Sequence, residues 1–311
     1  MNAPILPDPT RLSFRGNLQI AWDSTSMRAL KECPRKYYYS IVLGFQPRYE
    51  SVHLTFGLHY HKGLELLAHY KAGGLTHDEA VCGMVKAMMV ATAGWKSDDT
   101  YKNRETLIRS LVWYAEHFKN DPAETYILAN GKPAVELSFR FSTRIPVGNG
   151  DESHIYCGHL DRIARFLDSF YVFDAKTSKS SLAYNYFDKF SPDVQMSGYT
   201  MGAKITWAHD IKGVVIDATQ VAVGFNRFER GMTLRSDDQL DEWYEGLNFY
   251  IKMAEGYAKQ GYWPMNEASC GNYGGCPFMG VCSKAPRLRN TWLQADFKRR
   301  IWDPLVVRGD I

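Results

Sequence analysis

Apolar positions recur along this chain with two different periods. A spacing of three to four residues predicts helices, and a spacing of two predicts strands. Helical spacing dominates up to about residue 120, whereas β-branched and aromatic residues gather between 134 and 225. This order predicts one α/β domain with a helical insert at about 75–130. The predicted helices cover 24–33, 56–70, 76–93, 102–119, 191–207 and 237–259, and the predicted strands cover 134–144, 158–166, 170–176 and 213–225.

The clearest pair of strands is formed by residues 158–166 and 170–176. Both runs are rich in Ile, Phe, Tyr and Val, and only three residues separate them. This arrangement predicts a β-hairpin. A two-residue turn at Asp168–Ser169 would pair Leu167 with Phe170 and set the register of the whole hairpin.

The predicted hairpin carries three charged residues on one face. In the register set by that turn, Asp161 lies opposite Lys176. Strand alternation puts Asp174 on the same face, diagonal to Asp161. The flanking positions are apolar, as in strands covered on both faces, and a charge inside such a strand needs a partner or a metal ion. An exposed salt bridge on an amphipathic hairpin is the alternative, and it would stabilise the fold little.

The composition is that of an ordinary globular protein. Of the 311 residues, 45% are hydrophobic and 23% are charged, and the formal net charge is +3. This mild excess permits nucleic-acid binding only through a local surface. No run reaches the ~18 apolar residues of a transmembrane helix, and the N-terminus lacks the pattern of a signal peptide. No motif for nucleoside triphosphates is present. We expect a cytoplasmic protein that binds neither membranes nor nucleoside triphosphates.

Six cysteines are unevenly distributed. Cys270, Cys276 and Cys282 fall in one glycine-rich segment. Three thiolates leave a tetrahedral site one ligand short, and Cys33, at the end of a predicted helix, is the best fourth. Four thiolates suit zinc or an iron–sulfur cluster, and the absence of a C-x-x-C pair disfavours zinc. A disulfide framework is the alternative, although disulfides rarely persist in the cytoplasm. The two remaining cysteines are predicted to be small core residues: Cys82 and Cys157.

Two predicted helices each carry a pair of polar residues four positions apart. The pairs are His61 with Glu65 and Gln195 with Tyr199. Residues at this spacing are neighbours on a helix surface. Taken alone, such a pair is more often structural than functional.

In their order along the chain, these features resemble the RecB-type branch of the PD-(D/E)xK nucleases. The resemblance is to iron–sulfur members related to CRISPR-associated exonucleases and phage-encoded nucleases. That order is an early cysteine, Gly-x-x-x-His, Gly-x-x-Asp, Asp-or-Glu-x-Lys, Gln-x-x-x-Tyr and three late cysteines. Each motif is weak alone, but six in order over 24–283 are specific. They correspond to Cys33, Gly57/His61, Gly158/Asp161, Asp174/Lys176, Gln195/Tyr199 and Cys270/Cys276/Cys282.

The resemblance implies a catalytic metal site. His61, Asp161 and Asp174 would bind Mg²⁺ or Mn²⁺, with the backbone carbonyl of Ala175 as a further ligand. Lys176 would activate the attacking water or stabilise developing charge. These side chains together would form the catalytic set.

The resemblance also implies a [4Fe–4S] cluster and contacts to DNA. Gln195 and Tyr199 would position DNA near the scissile end. The cluster would join the N-terminal helix to the C-terminal segment, in a structural or a redox-sensing role. One departure is that family members often carry Cys-x-x-Cys before the last cysteine, whereas five residues separate the first two late cysteines here. The implied cluster ligands are Cys33, Cys270, Cys276 and Cys282.

The implied fold is a restriction-endonuclease-like core, in which a mixed central sheet is flanked by helices. The predicted organisation is an arm (1–23), a single nuclease domain (24–285) and a basic tail (286–311). The nuclease domain contains the helical insert and the cluster segment 270–282.

The implied activity is that of a metal-dependent deoxyribonuclease. We expect an exonuclease that hydrolyses single-stranded or frayed DNA ends in recombination, repair or CRISPR-type processing. The alternative is a non-cutting protein that binds DNA ends or serves as an adaptor in a recombination or integration complex. The expected location is a bacterial cytoplasm, or the host cytoplasm for a phage-encoded protein. The sequence leaves the oligomeric state and the cleavage polarity open.

Overall fold

The computed structural model describes residues 12–49, 51–207 and 209–306. The start of the predicted N-terminal arm and the last five residues of the predicted basic tail lie outside these ranges. The helices are α1 Ser24–Glu32, α2 Pro34–Tyr37, α3 Val52–Ala72, α4 His77–Ala91, α5 Arg104–His117, α6 Val194–Thr206, α7 Asp237–Gln260, α8 Met279–Cys282 and α9 Pro286–Asp296. The strands are β1 Phe14–Arg15, β2 Leu18–Gln19, β3 Ala21–Trp22, β4 Phe45–Pro47, β5 Glu124–Thr125, β6 Val135–Pro146, β7 Ser153–Phe166, β8 Ser169–Ser178, β9 Ile211–Val221, β10 Asn226–Leu234 and β11 Phe297–Arg299.

Polar caps set the starts of three helices. The side chains of Asp23, Thr76 and Asn103 each accept a hydrogen bond from the backbone three residues on, in a capping box. Such a cap satisfies a backbone N–H that has no partner inside the helix. Each of the described helices is too short or too polar to cross a membrane.

The chain divides into two compact units. The central unit comprises the described parts of 50–139 and 159–236, and the terminal unit comprises the described parts of 1–49, 140–158 and 237–307. Strands β6 and β7 contribute residues to both units because the boundaries fall within them.

The central unit is built on a mixed sheet. Strand β10 pairs antiparallel with β9, β9 pairs parallel with β8, and β8 pairs antiparallel with β7. On one face of the sheet, the hydroxyl of Tyr60 in α3 is hydrogen-bonded to Thr219 of β9. On the other face, Gln195 of α6 accepts a hydrogen bond from Lys176 of β8, which pairs with Ala218, the residue before Thr219. Because successive strand residues point to opposite faces, helices flank both sides of the sheet. The predicted strand 213–225 ends earlier, at Val221, and the hairpin to β10 was not predicted.

The terminal unit contains the long helix α7 and the cysteine segment. Strand β3 pairs parallel with the first part of β7, and β4 pairs antiparallel with β11. One apolar cluster joins β4 to the C-terminal helices. It consists of Tyr39, Leu43, Phe45, Phe278, Val281, Leu293 and Phe297, with Cys276 and Cys282 packed against it.

Candidate functional site

The predicted hairpin is present as β7 and β8, but its turn is one residue earlier than predicted. The turn residues are Leu167 and Asp168, whose φ angles of 48° and 59° are those of a type I′ turn. The predicted pairings of Leu167 with Phe170 and of Asp161 with Lys176 are therefore wrong. The observed register pairs Phe170 with Arg165.

Burial of apolar side chains explains the observed register. It pairs Ile163 with Val172, and both are fully buried. The predicted register would have placed Ile163 opposite the charged Asp174. Moving the turn by one residue changes every cross-strand partner by two, so each side chain keeps its face. Asp161 and Asp174 therefore remain on the same side of the hairpin.

Asp161 lies where the two strands of the hairpin separate. The ladder ends at the Arg162–Phe173 pair. Beyond it, the backbone N–H of Ala175 donates to Asp161 Oδ2 at 2.9 Å instead of to a strand partner. Helix α3 brings His61 to the same oxygen, with Nδ1 at 3.1 Å. The structure thus joins two predicted ligands that lie 100 residues apart in the sequence.

Glu136 is a further member of this set that the sequence analysis missed. One ligand atom from each of His61, Glu136 and Asp161 lies within 4.8 Å of the others. Glu136 has a φ angle of 51° inside strand β6. Non-glycine residues adopt this conformation at an energetic cost, and residues that do so are found most often at functional sites. The alternating pattern of β6 identified the strand, but it gave no reason to select this glutamate.

Asp174 and Lys176 form a buried ion pair beside this set. Lys176 Nζ donates to Asp174 Oδ1 at 2.8 Å and lies 2.6 Å from Oδ2. Asp174 is only 1% exposed, and its Oδ2 accepts no well-aligned hydrogen bond. A buried carboxylate oxygen without such a bond is costly unless a cation binds it.

Helix α6 holds the lysine from its other side. Lys176 Nζ donates to Gln195 Oε1 at 3.1 Å, and Gln195 Nε2 donates to the hydroxyl of Tyr199 at 2.8 Å. Asp193 caps α6 by accepting hydrogen bonds from the backbone of Gln195 and Met196. The predicted pair is therefore part of a chain of hydrogen bonds that fixes the Lys176 ammonium.

The four ionisable groups shift one another's pKa values. Burial alone would lower the pKa of His61, but the Asp161 carboxylate outweighs it and raises that pKa to about 8. Burial opposes the charged form of Asp161, yet His61 and Lys176 hold its pKa below the usual value. Burial, together with the Asp161 charge, raises the pKa of Asp174 despite the lysine beside it. An added cation would favour the anionic form of Asp174.

A cavity of about 510 Å³ in the central unit adjoins this set. His61, Glu136, Asp161 and Ala175 form part of its wall. Much of the remaining wall is apolar and comes from α3, α5 and the strands. The volume is typical of a ligand site, so a substrate group has room to reach the carboxylates.

A second buried charge network lies in the wall of this cavity. Arg230 donates to both carboxylate oxygens of Asp121, at 2.6 and 2.7 Å, and to Asp217 at 3.2 Å. The Tyr114 hydroxyl donates to the same oxygen of Asp217 at 2.5 Å. Arg162 lies 3.7 Å from Asp121. Because these charges pair with one another, the network is a structural support for the sheet beside the candidate metal site.

The cysteines of the terminal unit converge from two distant segments. The backbone N–H of Asn266 donates to Cys33 Sγ at 3.4 Å, and Cys270 Sγ lies 4.0 Å from the carbonyl oxygen of the same asparagine. Burial raises the pKa of Cys276, and the nearby Cys33 and Cys270 raise it further. Burial also raises the pKa of Cys282, with Cys276 and Cys33 adding to it.

All four of these cysteines are free thiols. Within the described ranges, no three of their sulfurs lie within 4.8 Å of one another. A single zinc ion would hold four sulfurs closer than that, because its bonds to sulfur are about 2.3 Å long. The arrangement is therefore not that of a formed zinc site. Of the other two cysteines, Cys157 is buried as predicted, whereas Cys82 is exposed and the prediction for it is wrong.

Two solved structures are weakly similar to this chain. A candidate exonuclease from Eubacterium rectale is 9% identical with a TM-score of 0.47, covering 86% of this chain and 94% of its own. A protein designated SSO0001 is 12% identical with a TM-score of 0.33, covering 74% of this chain and 94% of its own. Likenesses at this level carry no argument about function. No curated protein matches the sequence.

The sequence itself matches a protein family over most of its length. Residues 22–283 match the family described as the PD-(D/E)XK nuclease superfamily. The matched span contains the ion pair of Asp174 and Lys176 together with the set of His61, Glu136 and Asp161. Because the match covers well over half of the sequence, this chain belongs to the PD-(D/E)XK nuclease superfamily.

Proposed function

We propose that this nuclease is a metal-dependent DNA exonuclease that acts on single-stranded or frayed ends in recombination, repair or CRISPR-type processing. The observation that carries the proposal is the convergence of His61, Glu136 and Asp161 beside the Asp174–Lys176 ion pair. Three segments of the central unit supply these side chains. Hydrolysis of a phosphodiester needs this combination of metal ligands and a positioned cation.

The donor set fits a hard divalent cation such as Mg²⁺ or Mn²⁺. Carboxylate oxygens suit both ions, and imidazole is compatible with Mn²⁺. The proposed ligands are His61, Glu136, Asp161, Asp174 and the carbonyl of Ala175. A cation bound here would replace the proton held by His61, because metal ligation requires neutral imidazole. It would also contact Asp174 Oδ2, which accepts no well-aligned hydrogen bond although Lys176 Nζ lies 2.6 Å away.

When bound, the metal ion would supply Lewis-acid activation of the scissile phosphodiester and of the attacking water. Lys176 keeps its ammonium charged because Asp174 and Asp161 surround it, despite burial that favours the neutral form. We infer that it donates to the phosphate oxygen on which negative charge develops and orients the water. Gln195 restricts Lys176 Nζ to that position through its hydrogen bond at 3.1 Å.

Gln195 and Tyr199 would meet the substrate next to Lys176. The amide of Gln195 bridges the lysine and the Tyr199 hydroxyl. Their positions beside the ammonium favour contacts with the sugar–phosphate backbone around the scissile bond rather than with a distant base. We therefore infer that they position the DNA end.

We infer that Cys33, Cys270, Cys276 and Cys282 bind a [4Fe–4S] cluster. The four thiols are free, Cys33 and Cys270 both lie against the backbone of Asn266, and among the described residues no three of these sulfurs lie within 4.8 Å of one another. A cluster of several irons spreads its thiolates more widely than a single ion does. Burial raises the pKa values of Cys276 and Cys282, and the nearby Lys36 and Arg35 oppose that rise only in part. Hydrolysis transfers no electron, so a structural role suffices.

Cleavage of DNA labelled at one end tests the proposed activity. Purified protein is mixed with Mn²⁺ and single-stranded DNA carrying either a 5′ or a 3′ label. We expect release of short products from one end. Lys176→Ala should slow cleavage by about 10²–10³-fold, the usual effect of removing one group that stabilises transition-state charge.

Lys179→Ala is the matched control. Lys179 is on the same segment but pairs with Asp99 at 3.2 Å, outside the proposed catalytic set. Its variant should cut at the wild-type rate. Cleavage by Lys176→Ala as fast as by the wild type would show that the site assignment is wrong. Tight DNA binding with no cleavage by the wild type would favour the alternative of a non-cutting end-binding or adaptor protein.

A further inference from the structure

The terminal unit has a groove that none of the proposed catalytic steps uses. It has a volume of about 300 Å³ and lies where β4, the cysteine segment and α9 meet. Phe297 and Val281 form its buried floor, and Pro47 and Pro277 contribute to its walls. The groove belongs entirely to the terminal unit.

Two exposed aromatic side chains flank this groove. Tyr49 is 90% exposed and Trp292 is 40% exposed, and both line the groove. Lys284 Nζ lies 4.4 Å from the centre of the Trp292 ring. Large aromatic faces left in water beside a concave surface are typical of a binding site. An aromatic ring that carries a cation at its face can stack a flat ligand and attract an anion at the same place.

The segments that form the groove are strongly cationic. Residues 45–49 and 284–300 contain seven lysines and arginines but only one acidic residue, Asp296, which lies in the groove. The whole chain has a net charge of only +3, so the rest of it is net negative. The positive charge is therefore concentrated in these two segments, whose Arg48 and Lys284 line the groove. The cations are Arg48, Lys284, Arg287, Arg289, Lys298, Arg299 and Arg300.

Hydrogen bonds hold two of these cations in place. Arg48 donates through Nε and Nη2 to the carbonyl oxygen of Ala295, at 3.1 and 3.0 Å. These bonds tie the segment that carries Tyr49 to the end of α9. Arg289 donates to the carbonyl oxygens of Lys284 and Cys282, at 3.0 and 2.9 Å. The side chains of Arg48 and Arg289 are thus held against the backbone beside the groove.

We propose that this groove binds single-stranded DNA, with bases stacked on Tyr49 and Trp292 and phosphates paired with the surrounding cations. Alternating aromatic and cationic contacts are how proteins hold single strands without reading sequence. A duplex would present its phosphates but hide its base faces from the two rings. The proposal rests on DNA being the substrate of the nuclease and adds a second DNA-binding surface to the protein.

Binding without cleavage tests this surface. The full-length protein is titrated into fluorescein-labelled oligo-dT of about 20 nucleotides, with divalent ions chelated, and anisotropy is recorded. An abasic strand of equal length supplies the phosphates without the bases. We expect tighter binding to oligo-dT than to the abasic strand. Tyr49→Ala and Trp292→Ala should each weaken binding to oligo-dT by about tenfold and leave binding to the abasic strand nearly unchanged.

The chain offers a matched control for the tryptophan. Trp113, in the central unit, is also 40% exposed and also has a cation near its ring, Arg109 at 5.3 Å. Trp113→Ala should bind both strands like the wild type. Trp292→Phe should restore tight binding of oligo-dT because phenylalanine also stacks, which separates loss of stacking from misfolding.

Removal of a cation should weaken binding of oligo-dT and of the abasic strand equally. Arg48→Gln or Lys284→Gln should weaken binding to oligo-dT and to the abasic strand alike, and should reduce the slope of log Kd against log salt by about 0.7. Wild-type affinity of the Tyr49→Ala and Trp292→Ala variants for oligo-dT would overturn the proposal, as would tighter binding of a duplex. The assay measures binding without cleavage. Its result would therefore stay the same even if Lys176 proved not to be catalytic.

Discussion

The central and terminal units place chemically reactive side chains inside the protein in different ways. In the central unit, every predicted catalytic group already has a protein partner, as in the Asp161–His61 and Asp174–Lys176 ion pairs. Among the described residues of the terminal unit, Cys33, Cys270, Cys276 and Cys282 are free thiols, and no three of their sulfurs lie within 4.8 Å of one another. The first arrangement is held by its own charges, whereas we propose that the second is held by a bound cluster.

The difference follows from the chemistry of the side chains. Buried carboxylates must be compensated, so Asp161 and Asp174 each acquire a cation even before a metal ion binds. Thiols are small and close to neutral, and burial raises the pKa values of Cys276 and Cys282. They can therefore be buried without a partner. We infer that a metal ion in the central unit would replace protein partners of Asp161 and Asp174. In the terminal unit, the proposed cluster would itself link the cysteines.

The largest expected effect on stability comes from breaking the internal charge pairing of the central unit. Arg230→Met would remove the cation that contacts both Asp121 and Asp217 within 3.2 Å. Among the described residues, only the more distant Arg162 would then remain to balance these two buried carboxylates. Loss of one partner of a buried pair costs about 3–5 kcal/mol. We expect that decrease in the free energy of unfolding, measured by urea titration.

Arg165→Met is the control for this substitution. Arg165 pairs with Asp168 at 3.0 Å, but the two side chains are 58% and 94% exposed. An exposed pair contributes at most about 1 kcal/mol. Equal stability losses for the two variants would mean that the central unit is not held by its buried charges.

The next effect concerns the thiols of the terminal unit. Cys276→Ser should abolish the absorbance expected roughly near 400 nm for an iron–sulfur cluster and lower the free energy of unfolding by about 1–3 kcal/mol. The reason is that Cys276 lies beside Cys33 and Cys270, which belong to distant segments. Visible absorbance and thermal unfolding of protein purified without oxygen would measure both.

Cys82→Ser serves as the matched cysteine control. Cys82 is an exposed free thiol on α4, in the central unit. Its variant should keep both the absorbance and the stability of the wild type. A Cys276→Ser protein with undiminished absorbance would remove Cys276 from the proposed cluster ligands.

The smallest expected effect tests the hydrogen bonds behind Lys176. Gln195→Ala removes the acceptor at 3.1 Å from Nζ and should slow single-turnover cleavage by about tenfold, or about 1.4 kcal/mol. Tyr199→Phe leaves the bond between Lys176 and Gln195 intact and should have a smaller effect. A rate for Tyr199→Phe below that of Gln195→Ala would show that the tyrosine acts on the DNA directly and not through Gln195.

The local pattern of the hairpin was sufficient to predict its charged face. Period-two alternation identified both strands and placed Asp174 and Lys176 together, as their ion pair confirms. The turn was misplaced by one residue because both Asp168–Ser169 and Leu167–Asp168 can form a two-residue turn. Burial of Ile163 against Val172 decides between them, and that depends on the rest of the sheet.

Glu136 and the Arg230 network show what local patterns could not supply. Glu136 is one of many acidic residues in the sequence, and its positive φ is a property of the folded backbone. Arg230 meets Asp121 across 109 positions of the chain. No spacing rule connects residues so far apart.

The sequence by itself determined the helices α1 and α3–α7, the strands β6–β9, the charged face of the hairpin and the family to which the chain belongs. These follow from short-range periodicity and from motifs whose members are close in sequence. The tertiary structure alone decided the hairpin register, the inclusion of Glu136 with His61 and Asp161, and the gathering of aromatic and cationic side chains around the groove at Trp292. The physical reason is that burial and charge compensation act between residues that are neighbours in space, whatever their separation along the chain.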